Sequence, residues 1–246
     1  MKLQRLYPIV LLTVFTAFVL FGDLIFQPQA IDDSIPHEPE YTYLSPYVGI
    51  SHYDRYFREA ADSIGYDWTL IAAIAFTESR FDSTAVSEVG ACGVMQVMPR
   101  TLRGLGVADS LHSDSRTNIM AAARLLRSLE KQYRYIGDSD ERINFVLASY
   151  NAGYGHILDA MRLARKYGKD RYVWNSSVDT FLVLKSQPEY YTDTLCRNGM
   201  FKDWKQTLSF VKKVRRHWKR FSGMQEKYSD SINKIVETDT LKRIMQ

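Results

Sequence analysis

The stretch from Glu78 to Pro99 reads ESRFDSTAVSEVGACGVMQVMP and follows a strongly apolar run, Trp68 to Thr77 (WTLIAAIAFT). The apolar run predicts a core helix, with the single carboxylate of Glu78 at its end. Glutamate is almost never fully buried without a partner. Apolar surroundings raise the pKa of a carboxyl group because they disfavour its charged form. The sequence therefore predicts an acid that stays protonated near neutral pH.

Three short blocks follow one another along the chain: Glu78-Ser79, then GVMQVMP at 93–99, then SYNAG at 149–153. In these blocks the chain resembles the family 1 lytic transglycosylases, whose catalytic module has the goose-type lysozyme fold. The family pattern is a Glu-Ser pair, then Gly-Leu-Met-Gln-hydrophobic-Met-Pro, then Ala-Tyr-Asn-Ala-Gly. The resemblance extends over 53–221 and implies an all-α, lysozyme-like domain.

The resemblance also implies a reaction on the glycan strands of peptidoglycan. Glu78 would protonate the β-1,4 glycosidic oxygen between N-acetylmuramic acid and N-acetylglucosamine. It would then act as a base on the C6 hydroxyl of the same muramic acid ring, which attacks C1 and gives a 1,6-anhydromuramyl end. The nucleophile is intramolecular, so a high effective molarity replaces a positioned water. This chemistry requires no metal or cofactor.

Five further residues match family positions that contact substrate. The resemblance implies that Ser87 bonds near the catalytic carboxylate and the substrate N-acetyl group, and that Tyr150 faces Glu78. The others would line the glycan groove or lie beside it: Gln96, Met98 and Asn151. Each also has a structural interpretation, since methionine fills core gaps and a core tyrosine can have a satisfied hydroxyl.

Two other functions stay open. A goose-type lysozyme would hydrolyse the same bond with a second carboxylate as base or nucleophile, but Asp82, Glu88 and Asp159 match no catalytic position. A non-catalytic peptidoglycan-binding domain is the other alternative. The chain also departs from the family where Gln206-Thr207-Leu208-Ser209-Phe210-Val211 replaces a Glu-Thr-x-x-Tyr-Val pattern. A phenol that could bond at the active site is thus lost.

The ends of the 246-residue chain differ from its middle. Residues 1–27 carry two early basic residues and then an apolar run, which predicts a cleaved export signal or a retained membrane anchor. A Pro-rich linker over 28–50, a catalytic domain over 51–221 and a charged tail over 222–246 would follow. The tail is interpreted as a frayed helix or a disordered segment.

The net charge limits the kinds of molecule that the protein is expected to bind. The net charge of +4 suits an anionic polymer or a membrane surface and is too weak to indicate nucleic acid. From the N-terminal segment and the resemblance we predict an exported protein that is periplasmic, anchored in the membrane or secreted to the cell envelope. We expect it to bind peptidoglycan as a monomer. Cys92 and Cys196 could form one disulfide in an oxidising compartment or remain two partly buried thiols.

Apolar residues at helical spacing predict helices over 53–64, 118–133, 141–150, 154–167 and 203–221, the last with Leu208, Val211, Val214 and Trp218 facing inward. Gly65 is expected to end the first of these helices, Asp67 to cap the helix that begins at Trp68, and Pro99 to open another helix at its first position. The segment 173–202 fits no such pattern. It could be a loop over one end of the substrate groove or a surface excursion packed by its own tyrosines.

Overall fold

The backbone is helical throughout most of the computed structural model, which describes residues 48–244 and the side chains of 48–236. Nine α-helices lie in this range: α1 (Asp54–Ile64), α2 (Trp68–Ser79), α3 (Pro99–Gly104), α4 (Ser115–Gln132), α5 (Ser139–Ala152), α6 (Tyr154–Lys166), α7 (Asp179–Leu184), α8 (Pro188–Tyr191) and α9 (Trp204–Ile244). Extended pairing in the described residues is limited to two isolated bridges, Val86–Cys92 and Cys92–Val97. The prediction of an all-α domain is confirmed.

Helix α2 lies at the centre and packs against α1 and α9. Every residue from Trp68 to Ala75 is buried, as expected of a helix that is apolar on all sides. The side chain of Asp67 accepts a hydrogen bond from the backbone N–H of Thr69 at 2.9 Å and caps the helix as predicted. Burial decreases only in the last turn, which contains Glu78.

The predicted helix boundaries are confirmed where a special residue sets them. Gly65 ends α1 in the left-handed conformation with φ 74°, and Pro99 opens α3 at its first position. Helices α4 and α5 begin two or three residues earlier than predicted. The reason is that Asp114 and Asp138 cap them with their side chains, ahead of the apolar pattern.

Helix α9 is longer than predicted. The tail at 222–246 was interpreted as a frayed helix or a disordered segment, and in the structure one helix runs without a break from Trp204 to Ile244. No proline interrupts this part of the sequence, so the helix can continue after its apolar stripe ends. Val211 and Val214 are buried as predicted, whereas Leu208 and Trp218 are partly buried against the core.

The segment 173–202 is held by one buried polar cluster. The carboxylate of Asp159 accepts hydrogen bonds from the backbone N–H groups of Arg197 and Asn198 at 3.1 and 2.9 Å. Another partner of this carboxylate is the fully buried Lys185, with 2.8 Å between Nζ and Oδ2. The ring of Phe181 also stacks on that of Tyr167, just after α6, and contacts the ring of Tyr190 within the segment.

The predicted signal or anchor at 1–27 and the linker as far as residue 47 lie outside the described residues. The end of the linker contacts the domain, since the N–H of Val48 donates to Oε1 of Gln225 at 3.1 Å. None of the helices in the described part of the chain has the length and apolar character that a membrane span needs. Cys92 and Cys196 are both free thiols, so they do not form the disulfide that the sequence left open.

Candidate active site

The carboxyl group of Glu78 stands partly exposed at the end of α2. It is neither hydrogen-bonded nor ion-paired to any residue in the described part of the chain. Burial of the group raises its pKa from 4.5 to about 8, because desolvation disfavours the carboxylate. No neighbouring charge among the described residues contributes to this shift. Glu78 is therefore an acid that holds its proton at neutral pH.

The loop after α2 folds back over the end of that helix. The hydroxyl of Ser79 donates to the carbonyl oxygen of Val94 at 2.8 Å, which joins the residue next to Glu78 to the second sequence block. Arg80, Phe81 and Gln96 have positive φ angles of 57°, 70° and 47°. Non-glycine residues in this region carry backbone strain and cluster at functional sites.

Asn118, a fully buried residue of α4, holds the loop after α2 through two hydrogen bonds to its backbone. Its Oδ1 accepts the N–H of Met95 at 2.9 Å, and its Nδ2 donates to the carbonyl of Cys92 at 3.1 Å. A Cβ atom at Gly93 would stand 2.8 Å from the Asn118 side chain, so this position requires glycine. Sequence reasoning missed Asn118 because it appears there only as the first residue of an amphipathic helix.

Tyr150, at the end of α5, connects the third sequence block to the second. Its hydroxyl donates to the carbonyl oxygen of Met95 at 2.7 Å. Burial, and then the charge of Glu78, raise its pKa well above the ordinary value. The ring of Phe210 lies parallel to the Tyr150 ring at 6.3 Å. Glu78, the 93–99 block and Tyr150 are therefore brought together, with the phenol hydrogen-bonded to the loop rather than to the acid.

The other predicted site residues have local partners. The hydroxyl of Ser87 accepts the N–H of Ala91 at 2.9 Å. The side-chain amide of Gln96 donates to the carbonyls of Ala85 and Gly93 at 2.9 and 3.1 Å.

The last two candidates lie at helix ends. Met98 is partly exposed at the start of α3. Oδ1 of Asn151 accepts the hydroxyl of the buried Thr207 at 2.7 Å. Among the described residues, none of Ser87, Gln96, Met98 and Asn151 is hydrogen-bonded to Glu78. Their roles as substrate contacts stay predictions.

The three carboxylates considered as partners of Glu78 are placed elsewhere. Asp82 accepts both the N–H and the hydroxyl of Thr84, Glu88 is exposed, and Asp159 belongs to the buried cluster with Lys185. The described side chains also contain no cluster of three or more His, Cys, Asp or Glu residues that could bind a metal ion. The acid at the end of α2 thus stands alone in the described site.

Comparison with known proteins identifies the same region. The model of the family described as "Transglycosylase SLT domain" matches residues 55–173. A protein from Desulfosudis oleivorans named membrane-bound lytic murein transglycosylase F is 38% identical over 148 residues, which is 60% of this chain and 32% of that protein. One from Alkalilimnicola ehrlichii, named membrane-bound lytic murein transglycosylase F 1, is 35% identical over 177 residues, or 72% of this chain and 35% of that protein. The chain thus spans about a third of the length of these curated relatives.

Two solved structures are similar over most of the chain. One is an inactive Glu-to-Gln mutant of lytic transglycosylase Slt from Pseudomonas aeruginosa, with a TM-score of 0.48 and 22% identity over 71% of this chain and 24% of that one. The other is the 70 kDa soluble lytic transglycosylase from Escherichia coli, with a TM-score of 0.49 and 20% identity over 70% of this chain and 24% of that one. The family match includes Glu78, the 93–99 block and the 149–153 block. Over residues 55–173 this chain is thus similar to the transglycosylase SLT domain.

Proposed function

We propose that this chain is a peptidoglycan lytic transglycosylase. It cleaves the β-1,4 bond between N-acetylmuramic acid and N-acetylglucosamine and leaves a 1,6-anhydromuramyl end. The observation that carries this proposal is the isolated carboxyl of Glu78, whose pKa burial raises to about 8 and which has no carboxylate partner among the described residues. A hydrolase with two carboxylates would need one beside it.

The first step uses Glu78 as a general acid. The protonated carboxyl transfers its proton to the glycosidic oxygen as the bond to C1 breaks, so the leaving N-acetylglucosamine departs as an alcohol. Apolar burial keeps that proton on Glu78 at neutral pH and makes the resulting carboxylate a stronger base than an ordinary glutamate. The group is thereby prepared for the second step.

In the second step the Glu78 carboxylate takes the proton of the C6 hydroxyl of the same muramic acid ring. The C6 oxygen forms a bond to C1, and Glu78 returns to its protonated state. Atoms balance without water, because the hydroxyl that attacks belongs to the substrate. Ser87, Gln96, Met98, Tyr150 and Asn151 contact the strand in this proposal, either directly or by shaping the loop around it.

The remaining segments would serve delivery to the cell wall. Residues 1–27 would direct export or anchor the protein, 28–50 would be a linker, 51–221 the catalytic domain and 222–246 a charged helical tail. The relatives named above are called membrane-bound murein enzymes, which supports a place in the cell envelope. We propose that the protein acts there on peptidoglycan as a monomer.

The test is mass spectrometry of the muropeptides that the purified protein releases from sacculi. We expect anhydromuramyl products from the parent protein and a fall of at least about a thousandfold for Glu78→Gln, since acid and base duties are both lost. Glu88→Gln, at an exposed position in the same loop, is the matched control and should retain activity. Reducing-end products would instead identify a hydrolase, and release of no product by the parent would favour a binding role.

The pH dependence gives a second readout. The reaction begins from protonated Glu78, so the rate should decline as pH rises through about 8, the pKa that burial gives this group. A rate that already declines above pH of about 5, as for an ordinary glutamate, would contradict the role assigned to burial.

A further inference from the structure

One face of α9 carries a group of exposed positive charges that form no ion pair with the described residues. Lys213, Arg216 and Arg220 are exposed and follow one another at spacings of three and four residues, so they share a face of the helix. His217 lies between them and contacts the ring of Phe76 edge-on at 4.8 Å. Phe76 precedes Glu78 by two residues in α2. The cationic face is therefore next to the end of the helix that carries the acid.

Arg80 extends this face across to α2. It ends α2 with φ 57° and is exposed, two residues after Glu78. The pKa of His217 is lowered by burial and then by the charges of four cations: Arg220, Arg216, Lys213 and Arg80. Arg80 also lies one helical turn after Phe76, whose carbonyl accepts its N–H at 3.1 Å, and Phe76 contacts His217. Cations from two helices therefore lie near this ring.

These four side chains have no carboxylate partner in the described part of the chain. Arg215 provides the contrast: it lies on another side of α9 and forms an ion pair with Asp140. Nδ1 of His217 is also buried without a hydrogen-bond partner among the described residues. Like charges held together repel one another, so a ligand that brings negative charge would be bound favourably here.

Resting on the proposed function, we propose that Arg80, Lys213, Arg216 and Arg220 form a basic face that binds the carboxylates of the peptide stem of peptidoglycan. The stem is attached to N-acetylmuramic acid, the sugar on which Glu78 would act, and it carries free carboxylate groups. An extended stem of four residues reaches about 14 Å. The ridge from Lys213 to Arg220 is about 10 Å long, which is within that reach. Substrates that retain their stems would then be preferred over bare glycan.

Binding can be measured apart from catalysis. The full-length chain with Glu78→Gln is titrated calorimetrically with N-acetylglucosaminyl-N-acetylmuramyl-tetrapeptide and with the same disaccharide without peptide. We expect tighter binding of the peptide-bearing ligand. We also expect that adding Lys213→Gln and Arg220→Gln weakens its binding by about three- to tenfold, the range of one or two exposed charge contacts.

Lys212→Gln with Lys219→Gln is the matched control, because it removes two exposed charges from other positions of α9. This pair should leave the preference for the peptide-bearing ligand intact. Equal affinity for the two ligands, or an equal loss in both pairs of variants, would overturn the proposal. A Lys213→Gln/Arg220→Gln protein that keeps its muropeptide affinity but loses binding to phosphatidylglycerol–phosphatidylcholine vesicles would also overturn the proposal. The basic face would then be a membrane contact. Failure of the proposed function is a separate result: no anhydromuramyl ends from sacculi, whatever the binding data show.

Discussion

Asp159 and Glu78 both carry carboxyl groups that are withdrawn from solvent, but the two groups have very different surroundings. Asp159 is fully buried and is paired with Lys185 and Arg162, each at 2.8 Å. Burial by itself raises the pKa of Asp159, but hydrogen bonds from Lys185, Asn198 and the backbone outweigh it and lower the pKa below its ordinary value. Glu78 has burial without such partners, and its pKa rises to about 8.

The comparison shows that partners, more than depth, decide what a buried acid can do. A charged carboxylate with a satisfied set of donors is a fixed part of the structure. An acid without donors keeps its proton and can give it to a substrate. In this chain the first kind holds the 173–202 segment in place, and the second kind stands where the three sequence blocks meet.

The largest effect on stability is expected from breaking the satisfied cluster. Lys185→Met removes the buried ammonium and leaves Asp159 short of a partner, which should lower the free energy of unfolding by about 3 to 5 kcal/mol. Denaturant unfolding of parent and variant measures the change. The double variant Asp159→Asn/Lys185→Met should lose less than the sum of the single variants. A Lys185→Met protein as stable as the parent would show that the pair is not a structural requirement.

Removing the buried carboxyl group of Glu78 is expected to raise the free energy of unfolding rather than lower it. Between pH 4.5 and about 8 the folded state keeps a proton on Glu78 that the unfolded state releases, so the free energy of unfolding falls as pH rises through this window. Glu78→Gln removes that dependence and should stabilise the protein by on the order of 3 kcal/mol at about pH 9, with little difference near pH 4.

Thermal unfolding across this pH range measures the effect, with the exposed Glu88→Gln as the control. An advantage of Glu78→Gln that does not change with pH would mean that burial does not hold the proton on Glu78.

A smaller loss of stability is expected from breaking the neutral hydrogen bond between Thr207 and Asn151. Thr207 is fully buried and donates to Asn151 at 2.7 Å, so Thr207→Val leaves Oδ1 of Asn151 without this donor. The loss should be about 1 kcal/mol, accompanied by a higher KM if Asn151 contacts the glycan. Thr192→Val, at an exposed threonine, is the control and should change stability by less than about 0.5 kcal/mol. Equal effects of the two variants would show that the Thr207 hydroxyl does not support the site.

Much of this fold could be predicted because its signals are local. The apolar run before Glu78 predicted α2, and Gly65, Asp67 and Pro99 predicted helix boundaries. The acid could be identified for the same reason, since one carboxylate ends a core helix.

What the sequence did not predict depends on contacts between distant segments. Asn118 meets Met95 from 23 positions away, and nothing local distinguishes it from a surface asparagine. The hydrogen bond from the Tyr150 hydroxyl to the Met95 carbonyl, 55 positions away, was likewise not predicted. The continuation of α9 was left open between a frayed helix and a disordered segment, because a helix without an apolar stripe has no periodic pattern to detect.

The backbone at Met95 is held on both sides, by Asn118 at its N–H and by Tyr150 at its carbonyl. A loop fixed in this way has few routes for rearrangement on the microsecond-to-millisecond scale typical of lids. We therefore expect turnover not to be gated by closure of this loop, and the Met95 amide to be among the slowest in the domain to exchange its hydrogen with solvent.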